Sequence, residues 1–180
     1  MFGKTVALQL VNILFSFMPL SRWYALRAKM LRFAGVNCSL SARIISSARI
    51  VMQNVSIGHD TFIGHQVLIS GNEDAKVMIG KNVDIAPRVV IISGTHEIDM
   101  VGEHSAGVGK GGPVLIQDGV WIGANCTILP GVTIGRKSIV GAGSVVSRDI
   151  PAYCVAVGNP CRAVKRWNSE TSEFERITVS

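Results

Sequence analysis

At 180 residues the chain fits a single domain of about 100–200 residues and leaves no room for separate cofactor and substrate domains. Charged residues make up 17% and apolar residues 48%, which excludes a disordered chain and a Glu/Lys-rich coiled coil; with 19 glycines and many Val and Ile, short strands joined by tight corners are expected. A net charge of +6 with 6% aromatics and no long Lys/Arg run points to an anionic membrane or a phosphate-bearing ligand and away from nucleic acid.

Residues 5–18, TVALQLVNILFSFM, are uncharged but shorter than the roughly 18 residues of a membrane span. Lys4 ahead of them imitates a signal peptide, yet no small-x-small cleavage site follows. Thr5, Gln9, Asn12 and Ser16 form one polar face of a helix whose opposite face is apolar, and Pro19 ends it. A second helical pattern runs from about Leu20 to Ala34, with Trp23, Leu26, Met30 and Phe33 as its apolar face and Arg22, Arg27, Lys29 and Arg32 as its charge. Residues 1–34 therefore read as an N-terminal amphipathic helical segment. It either packs on the body or a partner subunit, or lies on an anionic membrane surface.

From about residue 45 the chain repeats every six residues. Ile45, Val51, Ile57, Ile63 and Ile69 form one series; Ile79, Ile85 and Ile91 follow an insertion; Ile116, Ile122, Ile128, Ile134, Val140 and Val146 complete it. Small or β-branched residues such as Val83, Val120, Cys126, Val132 and Ser144 stand two positions earlier, and Gly follows at Gly58, Gly64, Gly80, Gly123, Gly135 and Gly141. This is a hexapeptide β-helix pattern. Each unit is a short strand and a corner, where Gly or Asn tolerates unusual backbone angles. Three units close a triangular coil of about 18 residues, stacked at about 4.8 Å, so Ile116 lies against Ile134. An amphipathic helix would need apolar spacings of three and four. About fourteen units give nearly five coils, and the fold class is all-β.

Two insertions must project from such a coil, and projecting loops commonly build binding faces. The first is Ser70–Met78, with Asn72, Glu73 and Asp74. The second, residues 95–113, is rich in glycine and is expected to be a mobile loop. Cys38, Cys126, Cys154 and Cys161 form no C-x-x-C pair; they read as reduced, cytosolic thiols, with neither a disulfide framework nor a zinc ribbon. None has a nucleophile's setting.

The run WIGANCTILPGVTIGRKSIVGAGSVVSRDIPAYCVAVGNPCRAV closely resembles the hexapeptide-repeat acyltransferases, and best the O-acetyltransferase group that includes galactoside, maltose and surface-polysaccharide enzymes. The resemblance covers about residues 45–167. It implies a left-handed parallel β-helix over residues 35–167, a homotrimer, and acetyl-CoA as co-substrate in the groove between subunits. Residues 168–180 are left as a polar C-terminal tail.

His96, in IAPRVVIISGTHEI, resembles the family's catalytic histidine. An acceptor hydroxyl must lose its proton as it attacks a thioester, and imidazole suits that task. Asp99 or Glu97 could orient the ring, as could a backbone carbonyl. The oxyanion needs a backbone N–H or an amide donor; the related sugar enzymes use an Asn whose counterpart here is Leu68, so Asn72 or Ser70 is the substitute. Asn72 and Asp74 are the acceptor-side candidates. Trp121 resembles the Trp lining the transfer site. Ala124 and Ala142 match positions along the pantetheine arm, Ser147 and Arg148 a Thr-Lys pair near the nucleotide, and Arg162 and Lys165 two basic residues at the phosphates, where charge-assisted hydrogen bonds favour cations. His59, His65 and His104 lack the family's zinc spacing, and no metal is predicted.

The expected function is acetyl-CoA-dependent O-acetylation of a saccharide hydroxyl, on a surface-polysaccharide precursor such as O-antigen or capsule, in the cytoplasm or on the inner face of the membrane. The rival expectations are another acceptor (serine, an amino sugar or an antibiotic) and a non-catalytic trimeric scaffold.

Overall fold

The computed structural model describes residues 2–72 and 74–177; Glu73 of the first insertion and residues 178–180 of the expected tail lie outside them. The chain winds as a parallel β-helix with three faces. The first face stacks Asn37–Cys38, Val55–Ile57, Val77–Ile79, Val114–Ile116 and Thr133–Ile134. The second begins Arg43–Ile44, Phe62–Ile63, Asp84–Ile85, Trp121–Ile122, Ile139–Val140 and Cys154–Val157. The third stacks Arg49–Ile50, Leu68–Ser70, Val90–Ile92, Thr127–Ile128 and Val145–Val146.

The register is the one the repeat predicts through the C-terminal half: Ile116 pairs with Ile134 and Ile122 with Val140. Both insertions are absorbed without loss of stacking, since Ile57 pairs with Ile79 and Ile79 with Ile116. Each inward residue is almost fully buried, stabilising the coil by about 1.5–3 kcal/mol per side chain. The residues two positions earlier are buried as well, and where they are polar they satisfy a carbonyl: Thr61 Oγ1 donates to Gly80 O at 2.7 Å and Ser138 Oγ to Pro151 O at 2.6 Å.

The series differs from the sequence expectation at its start. Ile44 and Ile50 point inward, paired with Ile63 and Ile69, while Val51 is 51% exposed. One extra residue between Ile50 and Ile57 shifts the frame, so the column begins at Cys38, paired with Ile57. The repeat glycines also act for another reason. The left-handed corners are Asp60, Asn82, Lys137, Gln66, Arg88 and Asn125 among others, not the glycines after the inward residues. Those glycines sit where the next coil passes: a Cβ on Gly58 would lie 2.3 Å from Gly80 O.

Helices α1 (Phe2–Phe15) and α2 (Tyr24–Phe33) close the N-terminal end of the prism. Leu8, Val11 and Phe15 of the first and Ala28 and Leu31 of the second join the core. Their orientation departs from the amphipathic reading at particular positions. Asn12 and Arg27 are buried, at 8% and 0% exposure, whereas the expected apolar residues Trp23, Leu26 and Phe33 are exposed. The first coil explains this. It is an edge whose outward N–H and C=O groups have no strand below them and require partners. Asn12 Nδ2 donates to Ile50 O at 2.8 Å and its Oδ1 accepts from Ile50 N at 3.2 Å. Arg27 Nε donates to Ile44 O at 2.6 Å, and its other nitrogens donate to Pro19 O and Leu20 O.

The segment expected as a tail from residue 168 extends the second face instead. Arg162–Asn168 pairs antiparallel with Cys154–Val157, and Glu173–Arg176 pairs with it in turn. Trp167 and Phe174 meet edge to face with ring centroids 5.2 Å apart.

Candidate active site

The second insertion leaves the third face after Val90–Ile92 and returns to the first face at Val114–Ile116. It is an antiparallel hairpin, Gly94–Ile98 against Ala106–Gly111, and not the irregular loop its glycines suggested. Its glycines serve close approach at its base: a Cβ on Gly94 would lie 2.8 Å from Asn72 N, and one on Gly111 2.7 Å from Ala75 Cβ. The first insertion leaves the same edge one coil below, so the two abut there. Asn72 therefore stands against the root of the strand that carries His96, while its own Oδ1 accepts from Asp74 N at 3.0 Å. Asp74 is exposed beside it.

His96 is exposed on the hairpin and faces Gly109 across the ladder. A Cβ on Gly109 would lie 4.0 Å from the His96 ring, so the absence of a side chain leaves that face of the imidazole open. Among the described residues no hydrogen bond holds the ring. Asp99 is engaged elsewhere: its Oδ1 accepts from Val101 N at 2.8 Å and Gly102 N at 2.9 Å. These two N–H groups, Gly102 foremost, hold its carboxyl below the usual carboxylate range. Asp99 thus fixes the bend just beyond His96. The hairpin also displays Ile98, Met100, Val101 and Val108, all between 76% and 97% exposed. Sequence reading passed over this apolar tip because Val108 joins Ile98, Met100 and Val101 only across the hairpin.

The remaining candidates fall on other parts of the prism. Ser147 and Arg148 follow Val145–Val146 on the same edge as His96 and are exposed. Trp121, 54% exposed, stands on the second face between Asp84 and Ile139. Ala124 and Ala142 occupy the corner between the second and third faces, bridged where Gly143 N donates to Ala124 O. Arg162 and Lys165 lie on the added antiparallel strand, both exposed. One protomer therefore carries two separate groups: His96, Asn72, Asp74, Ser147 and Arg148 along one edge, and Trp121, Ala124, Ala142, Arg162 and Lys165 on the second face and the corner it shares with the third.

All four thiols are buried, and burial pushes Cys38 up to about 11 and also raises Cys126 and Cys161. His65 Nδ1 lies 2.6 Å from Ser47 Oγ in the corner stack.

Residues 113–148 match the family model "Bacterial transferase hexapeptide (six repeats)". The chain is 32% identical over 148 residues to a galactoside O-acetyltransferase of Lactococcus lactis subsp. lactis, covering 82% of this chain and 68% of that one. It belongs to the hexapeptide-repeat acetyltransferase family. Its coil is accordingly left-handed, against the usual right-handed crossover of parallel strands. Among solved structures, a hexapeptide-repeat acetyltransferase from Vibrio cholerae O1 biovar eltor, complexed with acetyl coenzyme A, superposes with a TM-score of 0.73 at 26% identity, over 93% of this chain and 89% of the other. A polySia-specific acetyltransferase superposes with a TM-score of 0.56 at 30% identity, over 69% and 61% of the two chains. The chain spans about half to three fifths of the length of the first curated relatives it matches.

Proposed function

We propose that the protein is an acetyl-CoA-dependent O-acetyltransferase that modifies a saccharide hydroxyl, with His96 as general base. The carrying observation is the position of His96: exposed on the projecting hairpin, on a different edge of the prism from Trp121, Ala124, Ala142, Arg162 and Lys165, with Ser147 and Arg148 the two proposed donor residues that share its edge. Such a split fits a homotrimer in which the hairpin of one subunit reaches the donor groove of the next. The apolar hairpin tip supports this, because exposed side chains of that size mark an interaction surface.

The acceptor hydroxyl gives its proton to the His96 imidazole as its oxygen attacks the thioester carbonyl. The tetrahedral intermediate collapses, the C–S bond breaks, and the imidazolium returns its proton to the departing sulfur. Asp99 acts through the backbone, by fixing the hairpin bend rather than by touching the ring. Asn72 and Asp74 lie at the hairpin root, on the side where an acceptor would approach. Trp121 borders the reacting thioester. The pantetheine arm runs past Ala124 and Ala142, whose small side chains leave the coil edge accessible, and Ser147, Arg148, Arg162 and Lys165 take the nucleotide and phosphates.

The acceptor we favour is a surface-polysaccharide precursor, handled in the cytoplasm at the inner face of the membrane. The resemblance to the galactoside and polySia-specific enzymes supports a saccharide, and the basic N-terminal helices support the location. The deciding experiment is coenzyme A release from acetyl-CoA by the purified full-length protein across a saccharide panel, with serine, amino sugars and aminoglycosides as comparators. Release is expected with saccharides, and His96→Ala lowers turnover about 10²–10⁴-fold while leaving acetyl-CoA affinity intact. Turnover retained in that variant, or no release with any acceptor, rejects the reading.

A further inference from the structure

Helices α1 and α2 turn Asn12 and Arg27 inward. Asn12 serves Ile50, Arg27 serves Ile44, and Ser16 Oγ accepts from Arg49 at 2.8 Å. The outward side of α1 is largely apolar: Val6, Leu10, Ile13 and Leu14 are 48–56% exposed around the exposed Gln9, and Phe17 just beyond is 83% exposed. Phe33, at 84%, continues the surface on α2. Between the helices runs an apolar groove of about 430 Å³ whose walls include Leu10, Leu14, Met30 and Phe33, with Lys29 at its margin.

Charge gives this surface a direction. The first 59 residues contain seven Lys and Arg and no Asp or Glu, whereas the remaining chain has eleven basic residues against twelve acidic ones. The entire positive excess of the protein thus resides in the helices and the first coil. Arg22, Lys29 and Arg32 are exposed alongside the apolar stripe. A two-fold pairing of this face with a second copy would set cation against cation with no acid nearby. An anionic lipid surface offers apolar chains below and negative headgroups around them, matching both features.

We infer that the outer face of α1, with Phe17 and Phe33, docks the protein on an anionic phospholipid bilayer. Helix α1 is about 21 Å long at 1.5 Å per residue, and no helix among the described residues is long and apolar enough to cross a membrane. It lies in the interface plane, its apolar stripe at the acyl boundary and Arg22, Lys29 and Arg32 at headgroup level. This deepens the location given in the proposed function but needs neither His96 nor any particular acceptor. The opposite end of the prism, with the added antiparallel strands, then points away from the bilayer.

The test is flotation of the full-length protein with vesicles of phosphatidylcholine containing phosphatidylglycerol, against pure phosphatidylcholine. Co-flotation with the anionic vesicles, weakened by salt, is expected. Leu14→Glu with Phe17→Glu should abolish it, and Lys29→Gln with Arg32→Gln should lower partitioning about tenfold or more. All four positions are exposed, so the variants should fold; acetyl-CoA binding by calorimetry and mass by light scattering check this. Unchanged donor binding and unchanged mass with lost flotation support the inference. No flotation of the wild type, equal flotation of the Glu variant, or a smaller assembly formed by that variant overturns it, the last by assigning the face to a second copy. A protein that floats but binds no acetyl-CoA would leave the docking face standing and remove the transferase reading.

Discussion

The Arg27 guanidinium donates to the main-chain carbonyl of Ile44 at 2.6 Å, with no carboxylate beside it among the described residues. Its remaining bonds go to the carbonyls of Pro19 and Leu20, and its charge lies 5.1 Å from the centre of the Tyr24 ring. A fully buried cation held by carbonyls alone makes sense only where a β-helix would otherwise end in bare backbone. Desolvation lowers its pKa, partly offset by Tyr24, but an arginine stays charged.

Arg27→Met should therefore destabilise the fold by about 2–4 kcal/mol, since it leaves the Ile44 carbonyl buried without a donor and removes charge-assisted bonds. Asn12→Leu, at the neighbouring edge strand, should cost about 1–3 kcal/mol for the same reason. Urea unfolding midpoints check both; an unchanged midpoint for Arg27→Met would show that the first coil needs no cap.

Two glycines separate close stacking from backbone conformation. Gly58→Ala sets a Cβ 2.3 Å from the Gly80 carbonyl oxygen, and backbone there cannot yield cheaply, so the cost should reach about 3 kcal/mol. Gly131, at φ +83° with nothing within 4 Å of an added Cβ, should lose only about 1–2 kcal/mol on substitution by Ala. Thermal unfolding of the two variants should preserve that order.

Asp99 governs a pH response in the hairpin. Its folded-state pKa is depressed by the Gly102 and Val101 N–H groups. Its contribution is therefore complete above the ordinary carboxylate pKa of about 3.9 and is lost as pH falls through the lower folded value. Protection of the Val101 and Gly102 amides, their exchange rates divided by the intrinsic rate at each pH, should be high at neutral pH, fall in that acidic window, and be low at all pH values in Asp99→Ala. The same variant should lower turnover less than His96→Ala, because the ring keeps its own proton chemistry.

If the hairpin and the donor groove meet between subunits, inactive variants should complement each other. Ala142 is exposed, so Ala142→Arg should block the arm's path without disturbing the coil. Co-refolded with His96→Ala in equal amounts, it should restore about a quarter of the sites, the share in which an intact histidine faces an intact groove. No recovery in trimers shown to have exchanged subunits would place both groups in one protomer.

The coil was legible from residue 57 onward because hexad spacing is a local rule: one inward aliphatic per strand, repeated, admits no other regular solution. It misled at Val51, where one inserted residue before Ile57 displaces the frame and only stacking on Ile69 shows that Ile50 is the inward member. The candidate site was legible residue by residue, through resemblance, but not as an arrangement. Nothing in linear spacing says that the hairpin edge and the Ala124–Ala142 corner lie apart on the prism.

The amino-acid order alone determined the β-helix, its two projecting insertions and the histidine on the longer one, since each depends on neighbours within a strand or corner. Tertiary structure decided what faces outward at the N-terminus, how the C-terminal residues close the second face, and which side of His96 is open. Those outcomes turn on satisfying backbone groups at the ends and edges of the coil. That requirement outweighs the apolar pattern of an isolated helix, and it drew Asn12 and Arg27 inward while leaving Leu14 and Phe17 exposed.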